Sequence, residues 1–162
     1  MTTKDLKNVA NWKSDSMRFS SIGDVLDFAI AREVEAQQFY KQLSAMVEDE
    51  QLSGKISSLV SEELHHELTL RRIQKGMEGF TNEDISGTDF VDYTANIEID
   101  AKMNYAELLL ICMKKEETSR RLYTNLASLC TDKQMCELLV KLSQEEARHK
   151  IRFEVEYDLL TF

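Results

Sequence analysis

Shifted by 83 positions, this sequence aligns with itself without a gap. Leu26 falls on Leu109, Glu33 on Glu116, Tyr40 on Tyr123, Leu43 on Leu126 and Leu59 on Leu142. Glu62, Glu63 and His66 then meet Glu145, Glu146 and His149. A two-fold repeat of this length is far longer than one solenoid unit, so each copy must be a supersecondary unit in its own right. Whatever one half folds into, the other half folds into as well.

Each half reads as a helical hairpin. With no proline and only five glycines in 162 residues, long unbroken helices are easy and a turn-rich β architecture is disfavoured. Ser21, with Asp24 three residues on, supplies a helix amino-terminal cap, and Asn104 with Glu107 repeats it. The first helix then carries Ile22, Leu26, Ala29, Ala36, Tyr40, Leu43 and Val47 at alternating four- and three-residue steps, with one gap. Such spacing keeps one helix face turned to a partner. The second helix starts after Asp49 with Leu52, Ile56, Leu59, Leu70, Ile73 and Met77 on its stripe. The third reads Tyr105, Leu109, Cys112, Ser119, Tyr123, Leu126 and Cys130. The fourth reads Met135, Leu139, Leu142 and Phe153, with Leu160 near its end. Short polar links at Glu48–Glu50 and Thr131–Asp132 make each pair antiparallel.

Residues 78–103, with Gly79 and Gly87 and weak periodicity, join the hairpins. Extended, such a segment reaches roughly 80 Å, twice the ~40 Å length of a 27-residue helix, so it can cross a whole bundle. A short helix inside the crossover is compatible with it. The sequence therefore predicts an all-α, ferritin-like four-helix bundle made of two repeated antiparallel hairpins, 21–77 and 104–160, joined by a long crossover. Residues 1–20 form an amino-terminal arm ahead of the 21–162 domain, with Trp12 and Phe19 able to dock it.

Charge and composition narrow the function classes. A net charge of −9 speaks against nucleic-acid binding, which calls for a basic face. No apolar run approaches the ~20 residues of a membrane span, and the polar amino terminus has no signal-peptide pattern. Three scattered cysteines, Cys112, Cys130 and Cys136, form no CxxC pair, so the expectation is a reducing cytoplasm. Cys130 and Cys136 can approach one another across the third turn, although that compartment disfavours a functional disulfide.

The gaps in the apolar stripes carry the chemistry. The missing position is Glu33 in the first helix and Glu116 in the third. In the second helix two consecutive stripe positions are Glu63 and His66, and in the fourth they are Glu146 and His149. Four carboxylates and two imidazoles thus point inward at matching depth. Burying an unpaired carboxylate costs several kcal/mol, and these positions include no Lys or Arg. Two divalent cations would balance the four negative charges. Glu-x-x-His sets a carboxylate and an imidazole one turn apart, within reach of one ion. Two copies in register with two lone glutamates make a ligand set of the ferritin-like carboxylate type.

Neighbouring groups read differently. Glu35, Glu62, His65, Glu117 and Glu145 lie about 100° or more off the stripe and face solvent or support the ligands from behind. Tyr40 and Tyr123 each follow a ligand glutamate by two turns on the same face, either as core or as phenols that orient a carboxylate. Cys112 reads as a small buried hydrophobe.

In AIAREVEAQQFY (Ala29–Tyr40), EELHH (Glu62–His66), KKEETSRRLY (Lys114–Tyr123) and EEARH (Glu145–His149) the chain resembles the rubrerythrin-like branch of the ferritin-like superfamily, over about residues 21–160. The resemblance implies that Glu33, Glu63, His66, Glu116, Glu146 and His149 are the di-iron ligands, with Glu63 and Glu146 bridging. It also implies that Tyr40 and Tyr123 hydrogen-bond near the metals. Where the family carries a further metal-site glutamate this chain has Ser119, which leaves a set closer to bacterioferritin-type oxidation centres. The four-cysteine rubredoxin domain of rubrerythrins proper is not found in these 162 residues.

The resulting expectation is a non-haem di-iron oxidoreductase that reduces peroxide or dioxygen, binds two iron ions and takes electrons from a separate donor protein. It is expected as a cytoplasmic homodimer without nucleic-acid or membrane partners. The alternatives are an iron-binding, buffering or ferroxidase protein without peroxidase turnover, and a di-manganese catalase-like centre, since carboxylate-rich sites suit manganese as well as iron.

Overall fold

A computed structural model describes residues 19–76, 80 and 102–162. The amino-terminal arm with Trp12, and the crossover in which the sequence allows a short helix, lie outside the described residues apart from Phe19, Ser20, Phe80, Lys102 and Met103. Four α-helices account for nearly everything else: α1 (Ile22–Met46), α2 (Glu50–Lys75), α3 (Tyr105–Leu129) and α4 (Lys133–Thr161).

Each helix begins where a short polar side chain satisfies an otherwise orphaned amide. Ser21 Oγ accepts from Asp24 N at 3.1 Å, while the Asp24 carboxylate reaches back to Ser20 N. Asn104 and Glu107 form the fully reciprocal version, with Glu107 N donating to Asn104 Oδ1 and Asn104 N to Glu107 Oε2. Asp49 and Asp132 cap the two later helices through Leu52 N and Met135 N. These caps leave three residues between partner helices in each pair, too few for anything but an antiparallel return.

Cα packing divides the described residues into two compact units. One holds α1, α2 and the 129–138 turn; the other holds α3 through Ser128 and α4 from Leu139. In the first, the antiparallel register is fixed by Gln37 donating to Glu67 (2.8 Å), Gln74 to Asp27 (2.6 Å) and the Ser53 hydroxyl to the Ser44 carbonyl (2.8 Å). Val25, Leu26, Ala29, Tyr40, Leu43 and Leu70 are fully buried there; each large apolar side chain removed from water contributes ~1.5–3 kcal/mol. Gly76 ends α2 beside the Met135 side chain, whose terminal methyl would have to move aside for a Cβ there. In the second unit, Thr124 and Ser143 share a 2.8 Å hydroxyl contact, Ser143 also donates to the Arg120 carbonyl, and Lys150 reaches Glu117 at 3.3 Å.

The buried face is wider than the four-three stripe. α1 buries Val25, Ile30 and Phe39 beside the expected positions, and α3 is buried continuously from Leu108 to Met113. A helix buried on every side over that stretch must be covered from more than one direction. The stripe also frays at its ends. Val47 is the α1 C-cap rather than a helical residue, Cys130 lies past the end of α3, and Leu160 is exposed in the final turn of α4. Among the described residues, no helix is long and apolar enough to cross a membrane.

Candidate metal centre

Among the described residues, the buried polar and charged side chains are Glu33, Glu63, His66, Glu116, Glu146 and His149, each at most 3% exposed. Every other charged side chain that is described reaches solvent. Helical periodicity explains the selection, because these are the positions where the stripes run inward. Nothing cationic is buried beside them except whatever proton the imidazoles carry.

Each hairpin assembles three of the six. In the first, His66 Nδ1 lies 3.0 Å from Glu63 Oε2 and 3.7 Å from Glu33 Oε2. In the second, His149 Nδ1 lies 3.3 Å from both Glu116 Oε2 and Glu146 Oε2. Within each trio the donor atoms all fall within 4.8 Å of one another. Two carboxylates at that separation repel by roughly 3 kcal/mol even at an effective dielectric of 20. One proton on the imidazole offsets only one of the two negative charges. A divalent cation neutralises both, and bonds of ~2.1 Å in octahedral geometry hold adjacent donors ~3 Å apart, comparable to the spacing here. Two carboxylate oxygens with one imidazole nitrogen form a donor set suited to iron or manganese. The residues present therefore fit a metal ion in each hairpin.

The surroundings sort as their helix positions require. Tyr40 and Tyr123 are wholly buried, and Tyr40 packs edge-on against Phe39 with ring centroids 5.3 Å apart. Cys112 is buried one turn before Glu116; loss of water and then the Glu116 charge push its thiol well above the ordinary value, so it stays neutral. The off-stripe acids turn outward. Glu35 meets Arg32, and Glu145 meets Lys141 and Arg148. Glu117 pairs with Arg120 and Lys150, and hydrogen bonding from Arg120 is the main reason its carboxyl lies below the usual range. His65 is exposed. Cys130 and Cys136 come close across the turn between α3 and α4, as their spacing allows.

Comparison with known proteins agrees with this construction. The family model for rubrerythrin matches residues 24–157. The chain belongs to the rubrerythrin family. Among solved structures, a hypothetical protein from Pyrococcus furiosus is 26% identical, with a TM-score of 0.69 over 86% of this chain and 90% of its own. A putative ferritin-like diiron-carboxylate protein from Thermotoga maritima superposes with a TM-score of 0.68 at 19% identity, covering 91% of this chain and 100% of that one. A manganese catalase from Anabaena does so with a TM-score of 0.64 at 17% identity, covering 93% of this chain and 80% of that one. No curated protein sequence matches significantly. The architecture of this rubrerythrin-family chain is thus the ferritin-like four-helix bundle expected from its repeat, and the buried carboxylate–imidazole clusters are its candidate metal site.

Proposed function

We propose that the chain is a non-haem di-iron oxidoreductase that reduces peroxide or dioxygen with electrons from a separate donor protein. The observation that supports this is the set of buried polar side chains among the described residues: six acidic and imidazole groups, with no Lys or Arg buried among those residues. Glu33, Glu63 and His66 would hold one iron and Glu116, Glu146 and His149 the other, with Glu63 and Glu146 shared between them as the family resemblance implies. When bound, the two ions supply Lewis acidity and the electrons of a ferrous-to-ferric change.

The chain's own residues do the rest. The imidazoles present Nδ1 to the site, as their contacts with the carboxylates already require. The carboxylates carry charge that balances the ions and can swing as that charge changes. Tyr40 and Tyr123, wholly buried two turns from Glu33 and Glu116, donate hydroxyl protons that hold ligand carboxylates in place. Leu26, Ala29, Leu109 and Cys112, all fully buried, keep bulk water from the reacting groups.

The test is to purify the protein without oxygen, measure metal content and optical spectrum, and add peroxide stepwise. Two irons per chain, a ferric absorption band at stoichiometric peroxide and sustained turnover with a reductant support the reading. Folded protein that takes up no metal, or loaded protein inert to peroxide and dioxygen alike, would overturn it. Iron uptake without turnover would instead indicate buffering. The structural likeness to a manganese catalase favours one further reading, a di-manganese centre; native manganese content with peroxide disproportionation in the absence of reductant would select it. A homodimer in the cytoplasm completes the proposal, with exposed Ile151, Val155 and Leu159 at four-residue steps on α4 as the face a second copy would cover; light scattering in solution checks it.

A further inference from the structure

The turn between α3 and α4 holds a second group of reactive atoms. Cys130 sits just past the end of α3, and Cys136 in the first turn of α4, where its backbone N–H donates to the Asp132 carbonyl at 2.9 Å. The cap at Asp132 folds the chain back so that Cys130 and Cys136 converge on the same Asp132 carbonyl, with their side chains close beside one another. Cys130 Sγ also donates to the Asp132 carbonyl at 3.3 Å. Both cysteines are half-buried thiols, whereas Cys112 is sealed in the core. Two thiols gathered at one carbonyl, in a turn whose backbone is pinned, need little movement to reach bonding distance.

We propose that Cys130 and Cys136 are a peroxide-responsive dithiol that closes to an intrachain disulfide. The Cys136 sulfur attacks one oxygen of hydrogen peroxide, the O–O bond breaks, and Cys136 becomes a sulfenic acid as one water leaves. Cys130 then attacks the sulfenic sulfur, its thiol proton leaves with the displaced hydroxyl as a second water, and the S–S bond forms. Two thiols are oxidised by two electrons and one peroxide is reduced to two waters. The order of attack follows from the surroundings of Cys130. Burial and the neighbouring Cys136 push its thiol up to about 12, so it keeps its proton and serves as the resolving partner. In a reducing compartment such a bond is transient, which is how intracellular disulfides act when they sense oxidant.

Closure has a structural consequence. The backbone of Cys130 pairs with Phe80 in an isolated antiparallel bridge, and Met135 packs against Gly76 at the end of α2. A crosslink across 130–136 thus stiffens the turn against which α2 ends. The chemistry takes place at sulfur and does not depend on the metal reading.

The experiment treats the reduced full-length protein with equimolar hydrogen peroxide, both iron-loaded and chelated, then alkylates it under denaturing conditions and maps the peptides. The expected result is a species lighter by two hydrogens, a peptide linking Cys130 to Cys136, and Cys112 as the one alkylated cysteine of the three. Cys130→Ser should leave a sulfenic acid at Cys136 that a dimedone probe traps, and Cys136→Ser should abolish it. Persistence of three alkylatable thiols would overturn the proposal. So would chain-to-chain disulfides only, or oxidation of Cys136 beyond the sulfenic stage with no link to Cys130.

Discussion

His66 presents Nδ1 to Glu63 Oε2 at 3.0 Å, one helical turn away and with both side chains almost wholly buried. Its repeat counterpart, His149 with Glu146, does the same at 3.3 Å. An imidazole and a carboxylate on adjacent turns of one helix meet without any help from tertiary structure. Tertiary structure adds the second carboxylate, Glu33 or Glu116, from the partner helix, and with it an excess of carboxylates over imidazoles among the buried described residues.

That excess makes opposite demands on stability and binding. Glu146→Gln keeps the side-chain shape and removes one of the crowded buried negative charges, so it should raise the stability of metal-free protein while weakening metal binding by at least ~100-fold. Chemical denaturation with and without iron, alongside a metal titration, checks both signs together. A variant that merely lost packing would be destabilised in both states.

Metal addition to the unaltered protein should stabilise it by mass action. At a free concentration one hundred times the dissociation constant the gain is ~2.7 kcal/mol, read as an upward shift in melting temperature. The shift should vanish in Glu63→Gln.

Tyr40→Phe and Tyr123→Phe keep the ring and remove only the hydroxyl. Each should lower metal affinity or turnover by ~10–100-fold for a stability cost near ~1 kcal/mol. Equal losses in melting temperature and no change in metal titration would assign both tyrosines to packing.

The Cys130 thiol is raised from 9.0 to about 12, first by burial and then by Cys136, so the folded state favours its protonated form. Its contribution to stability is complete below about pH 9 and is lost as the pH rises toward about 12. Alkylation of Cys130 in folded protein should therefore stay slow at mildly alkaline pH and accelerate only toward that value. In Cys136→Ser the acceleration should begin at lower pH, measured by timed labelling and peptide mapping.

Asn104→Ala removes half of a reciprocal cap and leaves Glu107 N without its 3.0 Å partner. A loss of ~1 kcal/mol is expected, and thermal denaturation measures it.

How much was legible in advance follows from which interactions are local. The caps at Ser21, Asp49, Asn104 and Asp132, the helix spacing and the inward direction of the six buried polar residues are properties of a helix and its nearest turn. The self-match at an offset of 83 positions carried them from one half to the other, and from it the hairpin plan and the candidate ligands could be read directly. The continuous burial of Leu108–Met113 could not, because periodicity states which way a side chain points and not how many neighbours arrive to cover it. Leu160 shows the converse: it lies on the stripe of α4, yet the helix outruns its cover and the residue is exposed. The Phe80–Cys130 bridge and the fit of Met135 against Gly76 depend on where separate segments of chain come to rest. Local sequence pattern thus determined the helices, their inward faces, the chemical kind of the site and the approach of Cys130 to Cys136 within one turn. Tertiary packing decided which carboxylate joins each Glu-x-x-His pair from the partner helix and how widely each helix is covered, because those are set by contacts between residues far apart in the chain.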